Sequence, residues 1–284
     1  MSQKAFTLME LLVVIAVIGL LSSIIFAITR GADEQGRIAK GLQFGQHLQN
    51  SLGAFAVGIW SFDEGAGTTA RDISGWGNNG TINGAAYTTD TASDMGYSLS
   101  FNGVDNYINA GNNTSLNITN AITLGIWVKP QSMPNNNKVI NKGDVELLHW
   151  DAVFEDISGK GFQWNLPGTN SSWWESRYNI SYGNWYHVVF TYDSSTQKMR
   201  SYINGTLTRE GTVSGTITTN TSTLIIAQDE GGGRYNGLID EVQIYDASLT
   251  LAQIQSQYYT GLDRLLAKNL ITEQEHQQRS ILSE

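Results

Sequence analysis

The chain has 284 residues, 17 Lys plus Arg against 26 Asp plus Glu, and a net charge of −9. Its 30 Gly, 3 Pro and 40% hydrophobic residues describe a turn-rich globular protein of one large domain or two small ones, not a disordered or collagen-like chain. With no Cys, a disulfide framework, a thiolate zinc site, a Cys nucleophile and an iron–sulfur cluster are excluded. The charge divides as +1 over residues 1–54, −9 over 55–261 and −1 over 262–284, which leaves no basic footprint for nucleic acid.

Leu11 to Ile28 is an uncharged run broken only by Gly19, Ser22 and Ser23, just long enough to cross a bilayer as a helix. Lys4 ahead of it favours a cytoplasmic start with the rest of the chain outside. No small-residue cleavage pattern follows the run, and Glu10 stands at its front, so an ordinary secretory signal fits poorly. A carboxylate near the membrane interior costs roughly 2–3 kcal/mol unless it is paired, and is a functional candidate for that reason. Beyond the run, Ile38, Leu42, Leu48, Leu52 and Phe55 recur at helical spacing. This predicts one helix from Phe6 to about Leu52, roughly 70 Å long at 1.5 Å per residue. Gly31, Gly36, Gly41 and Gly45 soften its second half.

The stretch Lys4-Ala5-Phe6-Thr7-Leu8-Met9-Glu10-Leu11-Leu12-Val13-Val14-Ile15-Ala16 closely resembles the cleavage and methylation segment of type IV pilins and pseudopilins. The resemblance implies that a prepilin peptidase cuts between Ala5 and Phe6 and that the new Phe6 amine is N-methylated. It also implies that Glu10, the fifth mature residue, pairs with the N-terminal amine of a neighbouring subunit. Ala5 stands where Gly is commoner, and the family accepts both. The implied partners are the prepilin peptidase, the membrane and other pilin subunits.

From Ala56 to about Asp246 the pattern becomes short apolar alternations bounded by Gly, Asn, Asp, Ser and Thr clusters, which are strand signals with turn punctuation. Strands are predicted at 57–62, 97–101, 121–129, 138–141, 146–150, 161–165, 185–192, 199–203, 224–227 and 238–245. Asn79-Gly80, Asn83-Gly84, Asn102-Gly103 and Asn204-Gly205 predict reversals. A block of this size and pattern reads as one all-β sandwich or jelly roll.

Within this block, Trp60 to Gly67, Phe101 to Tyr107, Ile122 to Pro130, Trp185 to Asp193 and Gly237 to Tyr245 together resemble a laminin G-like, concanavalin A-type jelly roll. That resemblance implies a glycan- or protein-binding module, often calcium-binding and usually without catalysis of its own. The expected fold class is therefore mainly β: a long N-terminal membrane helix, a concanavalin A-like/laminin G-like β-sandwich and short C-terminal helices. The expected segments are a leader over 1–5, the membrane and assembly helix over 6–54, the jelly roll over 55–261 and a helical tail over 262–284.

Strand parity sharpens the site question. Leu238, Val242 and Ile244 share a face and Asp240 goes with them, while Trp60 and Phe62 share one with Glu64. Adjacent first and last strands would bring these acids near the core edge, where like charges need a cation, a proton or several donors. A structural Ca2+ on Asp63, Glu64 and Asp240 is one solution; turn-capping by the same acids is the other.

Among the tryptophans, Trp60 and Trp185 are expected in or against the core. Trp150, at a strand end, and Trp173, Trp174 and Tyr178, in the polar loop after Gly168, are the candidate ligand-binding residues, since sugar sites use aromatic planes. The plain alternative makes them a lid over the sandwich edge. Asp144 and Glu146 come nearest to the same-strand acid pair of concanavalin-like glucanases, but no third acid continues the pattern. His149 and His187 stand apart from any Ser–His–acid set. The reading is a non-enzymatic subunit, inserted in the inner membrane and then displayed on a cell-surface filament, with a glycan or surface protein as ligand. The alternatives are an anchored or secreted polysaccharide-acting enzyme and a lectin that never polymerises.

In the tail, Thr250 and Gln253 form a capping-box pattern that opens a helix to about Tyr259, with Gly261 placed to end it. Leu262 to Glu275 is similar to the short C-terminal helical pair called SHOCT.

Overall fold

A computed structural model of the chain describes residues 52–92, 96–132, 137–143, 151–155, 161–171, 174–228, 233–267, 272 and 274. The cleavage segment, the run from Leu11 to Ile28 and most of the tail lie outside them. Among the described residues no helix is long and apolar enough to cross a membrane.

In chain order the strands are β1 (Ala56–Trp60), β2 (Thr69–Ala70), β3 (Gly80–Asn83), β4 (Ala86–Thr88), β5 (Ser98–Asn102), β6 (Tyr107–Asn109), β7 (Ala121–Pro130) and β8 (Asn137–Lys142). They continue as β9 (Asp151–Glu155), β10 (Gly161–Asn165), β11 (Trp174–Glu175), β12 (Tyr186–Asp193), β13 (Lys198–Ile203), β14 (Thr206–Thr212), β15 (Leu224–Ile226) and β16 (Asn236–Tyr245), followed by helix α1 (Leu251–Ala267). The first sheet runs β14-β13-β12-β7-β16-β5-β4, with β1 also on β16, and the second runs β11-β10-β9-β8-β15-β6-β3-β2. Every named pairing is antiparallel, as a jelly-roll sandwich requires.

Alternation decides what faces the core. Ile122, Leu124, Ile126 and Val128 of β7 and Val188, Phe190 and Tyr192 of β12 meet Ile108, Ile140, Phe162, Trp164, Leu224 and Ile226 of the second sheet in one cluster. Trp164 and Phe190 stack across the gap at 5.0 Å. Trp60 is fully buried there, and its Nε1 donates to the Asn78 carbonyl at 2.8 Å.

The predicted strand at 146–150 falls outside the described residues, and the other nine coincide with observed strands to within a few residues. Asn204 and Gly205 both have positive φ, 52° and 75°, and join β13 to β14 as an Asn-Gly hairpin should. Asn79-Gly80 does not reverse the chain. Gly80 instead begins β3, where a Cβ would meet Ile108 Cγ2 at 2.4 Å.

The face of Asp240 also differs from the prediction. The β16–β7 register shifts between Asp240 and Gln243, and Glu241 at φ 47° is the extra residue. This bulge makes Ile239, Val242 and Ile244 core-facing and turns Asp240 to the outer face, opposite Trp127.

That outer face has its own small core. Val189, Tyr202 and Tyr245 pack with Leu249 and Ile254 of the helical region and with Leu52 and Ala56 at the chain's entry. The capping box forms as expected: Gln253 N–H donates to Thr250 Oγ1 at 3.3 Å, and Thr250 N–H donates to Gln253 Oε1 at 2.8 Å. Gly261, however, does not end the helix, which continues to Ala267. An interior Gly costs only about 1 kcal/mol, and the following Leu262 to Ala267 are good helix formers.

At the end of β8, buried Lys142 donates from Nζ to Asn117 Oδ1 at 3.1 Å, Asn220 O at 2.8 Å and Asn220 Oδ1 at 3.1 Å. Burial lowers its pKa, and Asn220 Nδ2 answers onto the Lys142 carbonyl at 3.0 Å. Lys142→Met keeps the apolar stem but removes the ammonium from three acceptors, of which Asn220 Oδ1 keeps the Ser222 N–H at 2.9 Å. It is expected to cost about 1–3 kcal/mol, read as a lower urea midpoint with an unchanged m-value. An unchanged midpoint would show that water replaces the ammonium freely.

Candidate functional site

The three acids singled out as a calcium set are not brought together. Asp240, 2% exposed, accepts at Oδ2 from Ala92 N–H at 3.1 Å and at Oδ1 from Glu241 N–H at 2.9 Å. Burial pushes its pKa up to about 8, with the charges of Glu241 and Asp63 adding to the rise. Asp63 is exposed and accepts from Tyr97 N–H at 3.1 Å. Glu64 is committed elsewhere, accepting from Arg71 N–H at 2.7 Å and from the Tyr87 hydroxyl at 3.3 Å. Burial, followed by the Glu64 charge, pushes that phenol to about 12. Among the described residues no three His or acidic side chains converge as a metal site. With Glu64 committed to Arg71 and Tyr87, the three acids do not form one calcium shell among the described residues. The turn-capping alternative describes Asp63 and Glu64, and a proton is the solution for Asp240.

Of the aromatic candidates, Trp174 is not in a polar loop. It lies in β11, 7% exposed, with Nε1 donating to Ser201 Oγ at 2.9 Å and the Arg209 guanidinium 3.9 Å over its ring. Its parity in the β10–β11 pair, opposite core-facing Trp164, carries it inward. Tyr178 is half-buried beside the core and packs edge-to-face on Tyr186 at 6.1 Å. Burial, then Tyr186, raises its phenol pKa. Trp150 and Trp173 lie outside the described residues, as do Asp144, Glu146, His149, Ala5, Phe6 and Glu10.

Trp185 is not in the core either. Tyr186 takes the inward position, and half-exposed Trp185 donates from Nε1 to Asp90 Oδ1 at 3.0 Å, beside the Lys129–Asp90 ion pair. His187 is buried on the outer face between Trp127 at 5.0 Å and Tyr258 at 6.0 Å. Burial pushes its pKa down to about 3, so it stays neutral and fills space under α1.

What the fold assembles instead is a polar row on the outer face of the second sheet. Backbone register aligns Thr69 with Thr81, Thr81 with Asn109, Asn109 with Ile225 and Ile225 with Asn141. Their neighbours Ala70, Ile82, Ile108, Ile226 and Ile140 all face the core, so the row points away from it. Thr69, Thr81 and Asn109 are exposed, and half-buried Tyr107 lies on the same face beside Asn109. Asn141, 1% exposed, donates from Nδ2 to the Gln228 carbonyl at 3.2 Å, while its buried Oδ1 has no partner. The exposed hydroxyls of Thr69 and Thr81 and the amide of Asn109 suit a ligand rich in hydroxyl groups. Sequence reasoning missed this row because β2, β3 and β6 were not predicted. Their Thr-x and Asn-x alternation was the available signal.

This is the architecture of a concanavalin A-type jelly-roll sandwich. Residues 102–255, more than half of the chain, match the family described as Concanavalin A-like lectin/glucanases superfamily, and the chain belongs to it. Residues 1–26 match the prokaryotic N-terminal methylation motif, so the chain joins a pilin-type N-terminus to a laminin G-like domain. No curated protein matches the chain. Among solved structures it is similar to domain 4 of AbnA, a GH43 extracellular arabinanase from Geobacillus stearothermophilus in complex with arabinotriose. The TM-score is 0.58 at 22% identity, covering 71% of this chain and 97% of that one. It is also similar to the ligand binding domain of botulinum neurotoxin serotype D in complex with N-acetylneuraminic acid, with a TM-score of 0.59, 16% identity and coverages of 76% and 53%. The binding domain of Paraclostridial Mosquitocidal Protein 1 gives 0.59, 15%, 74% and 53%. The chain thus spans nearly all of the arabinanase domain and about half of the toxin binding domains. At these identities the likeness is one of fold.

Proposed function

We propose that the chain is a type IV pilin-like subunit that displays a glycan-binding, adhesive head on a cell-surface filament or pseudopilus. The observation that carries the reading is the covalent join of an N-terminal methylation motif at 1–26 to a concanavalin-type sandwich. Prepilin peptidase cuts after Ala5, Phe6 becomes the methylated terminus, and Glu10 pairs with a neighbour's amine, which removes the cost of a lone carboxylate in the membrane. The head binds rather than catalyses: His187 is held neutral by burial, and the polar row offers amides and hydroxyls. Neutral oligosaccharides suit that row, with exposed Thr81 and Asn109 offering a hydroxyl and an amide to sugar hydroxyls. Asp144 and Glu146, on which the polysaccharide-acting alternative rests, lie outside the described residues.

Intact-mass and N-terminal analysis of protein sheared from the surface of its own host tests assembly. The expected result is an N-methylated Phe6 start; an uncut Met1 start would overturn it. For the head, filaments carrying Thr81→Ala/Asn109→Ala are expected to be retained about tenfold less than wild type on immobilised neutral oligosaccharides, the scale of one or two hydrogen bonds. Equal retention of the two would move the ligand away from the second sheet.

A further inference from the structure

The Asp72 loop is built more rigidly than its surface position explains. Asp72 Oδ1 accepts from Ile59 N–H at 2.9 Å and from Ser74 N–H at 2.9 Å, while Oδ2 accepts from Ser74 Oγ at 2.8 Å and Asn78 N–H at 2.8 Å. Asp72 N–H itself donates to Asn79 Oδ1 at 2.9 Å. Trp76 N–H donates to Ser74 Oγ at 3.3 Å, and Asn113 Nδ2 donates to the Trp76 carbonyl at 3.4 Å. Yet the two large apolar side chains this loop holds still, Ile73 and Trp76, are 65% and 55% exposed. Ordering a loop costs conformational entropy, and a fixed, exposed Trp is the usual anchor of an interface.

The position of the loop says which interface. Ile73 N–H donates to Ile59 O at 2.9 Å and Asn78 Nδ2 donates to Val57 O at 2.6 Å, so the loop runs along β1, which pairs with β16. Immediately before β1 is Phe55, 48% exposed, while its neighbours Leu52 and Ala56 are buried under Leu249 and Ile254. Phe55, Ile73 and Trp76 therefore flank the first strand, where the 51 preceding residues join the head. Those residues carry Ile38, Leu42 and Leu48 as an apolar stripe at helical spacing that requires a covering surface. Charge selects the same pairing. Residues 55–261 carry −9, so two heads repel, whereas the segment 31–50, with Asp33 and Glu34 against Arg37 and Lys40, carries no net charge and meets an acidic head without that penalty.

We propose that Phe55, Ile73 and Trp76 form a docking surface for the segment 31–50 of a second copy of this chain, with Trp76 as its anchor. This rests on the filament reading above. The absence of native Cys makes the test clean. Filaments bearing Ile73→Cys, which keeps the Trp76 anchor, together with Leu42→Cys or Leu48→Cys are sheared from the host, oxidised and run without reductant. The expected result is a ladder of disulfide-linked multimers from at least one pair, absent from each single-Cys chain. In parallel, Ile73→Ser/Trp76→Ser is expected to lower filament recovery about tenfold or more, the scale of losing one Trp anchor, with precursor level and thermal midpoint unchanged. Filaments that assemble at wild-type yield in the serine variant and give no multimers, or only an intramolecular link, would overturn the docking surface and leave the filament reading intact. An uncut Met1 start with no filaments would overturn both.

Discussion

Trp60→Ala is expected to destabilise the head by about 3–5 kcal/mol, the scale of removing a buried aromatic from a packed core. Trp60 is fully buried, and Gly58 is placed against it so closely that a Cβ would meet its Cη2 at 2.3 Å. The surroundings are shaped to the indole and cannot close over a cavity without moving β1. The polar edge adds to the loss. Trp60 Nε1 is the donor to the Asn78 carbonyl, and Asn78 in turn ties Val57 O and Ser115 Oγ at 2.6 and 3.0 Å. Urea unfolding followed by circular dichroism, which does not depend on the deleted chromophore, should show the midpoint falling at constant m-value. Trp76→Ala, at an exposed position, should stay within about 0.5 kcal/mol of wild type. A loss at Trp60 below about 1 kcal/mol would mean that the site refills, and that Gly58 is not the rigid wall described.

The same residues show what the sequence could and could not disclose. Strands such as β7 and β12 were legible because they alternate over eight or more residues against a core on one side. Strands β2, β3 and β6 have two to four residues and exist because distant neighbours pair with them, so their short alternation is too weak a local signal to stand alone. With them went the polar row, which is a property of register between strands. Asp240 failed for a different reason. Its parity was correct up to one bulge residue, and a one-residue slip reverses the face of everything beyond it. Trp174 was misplaced because a two-residue strand inside a Gly, Asn and Ser-rich stretch looks like loop, whereas its backbone pairing with β10 sets it inward. The pilin-type segment, in contrast, was read from a contiguous motif that no tertiary contact has to complete.

Asp240 yields the second large expectation, a stability that falls as pH rises through the neutral range. Its folded pKa, about 8, lies above the ordinary 3.8, so the folded state binds a proton that the unfolded state releases between those values. Stability is then fully present below about pH 4, declines as pH rises, and levels off above about pH 8. At about 1.4 kcal/mol per unit the span is on the order of several kcal/mol, less to the extent that the Ala92 segment opens to admit water. Asp193 and Glu210 act in the opposite sense. Hydrogen bonds from Ser195 and Arg200 respectively hold them below their ordinary values, so their contribution is lost only in acid. The melting temperature should therefore peak near pH 4–5 and drop by pH 8.5. Asp240→Asn should remove the drop while lowering the plateau, because its amide nitrogen cannot accept one of the two bonds from Ala92 and Glu241 N–H. Chelator should leave the wild-type profile unchanged, since Glu64 is committed to Arg71 and Tyr87 and a proton already neutralises Asp240. A rise in melting temperature at pH 8.5 on adding millimolar Ca2+, abolished in Asp240→Asn, would show that a cation replaces the proton and that the loop carrying Asp63 closes to complete its shell. A pH profile identical in wild type and Asp240→Asn would instead place the titration on another group.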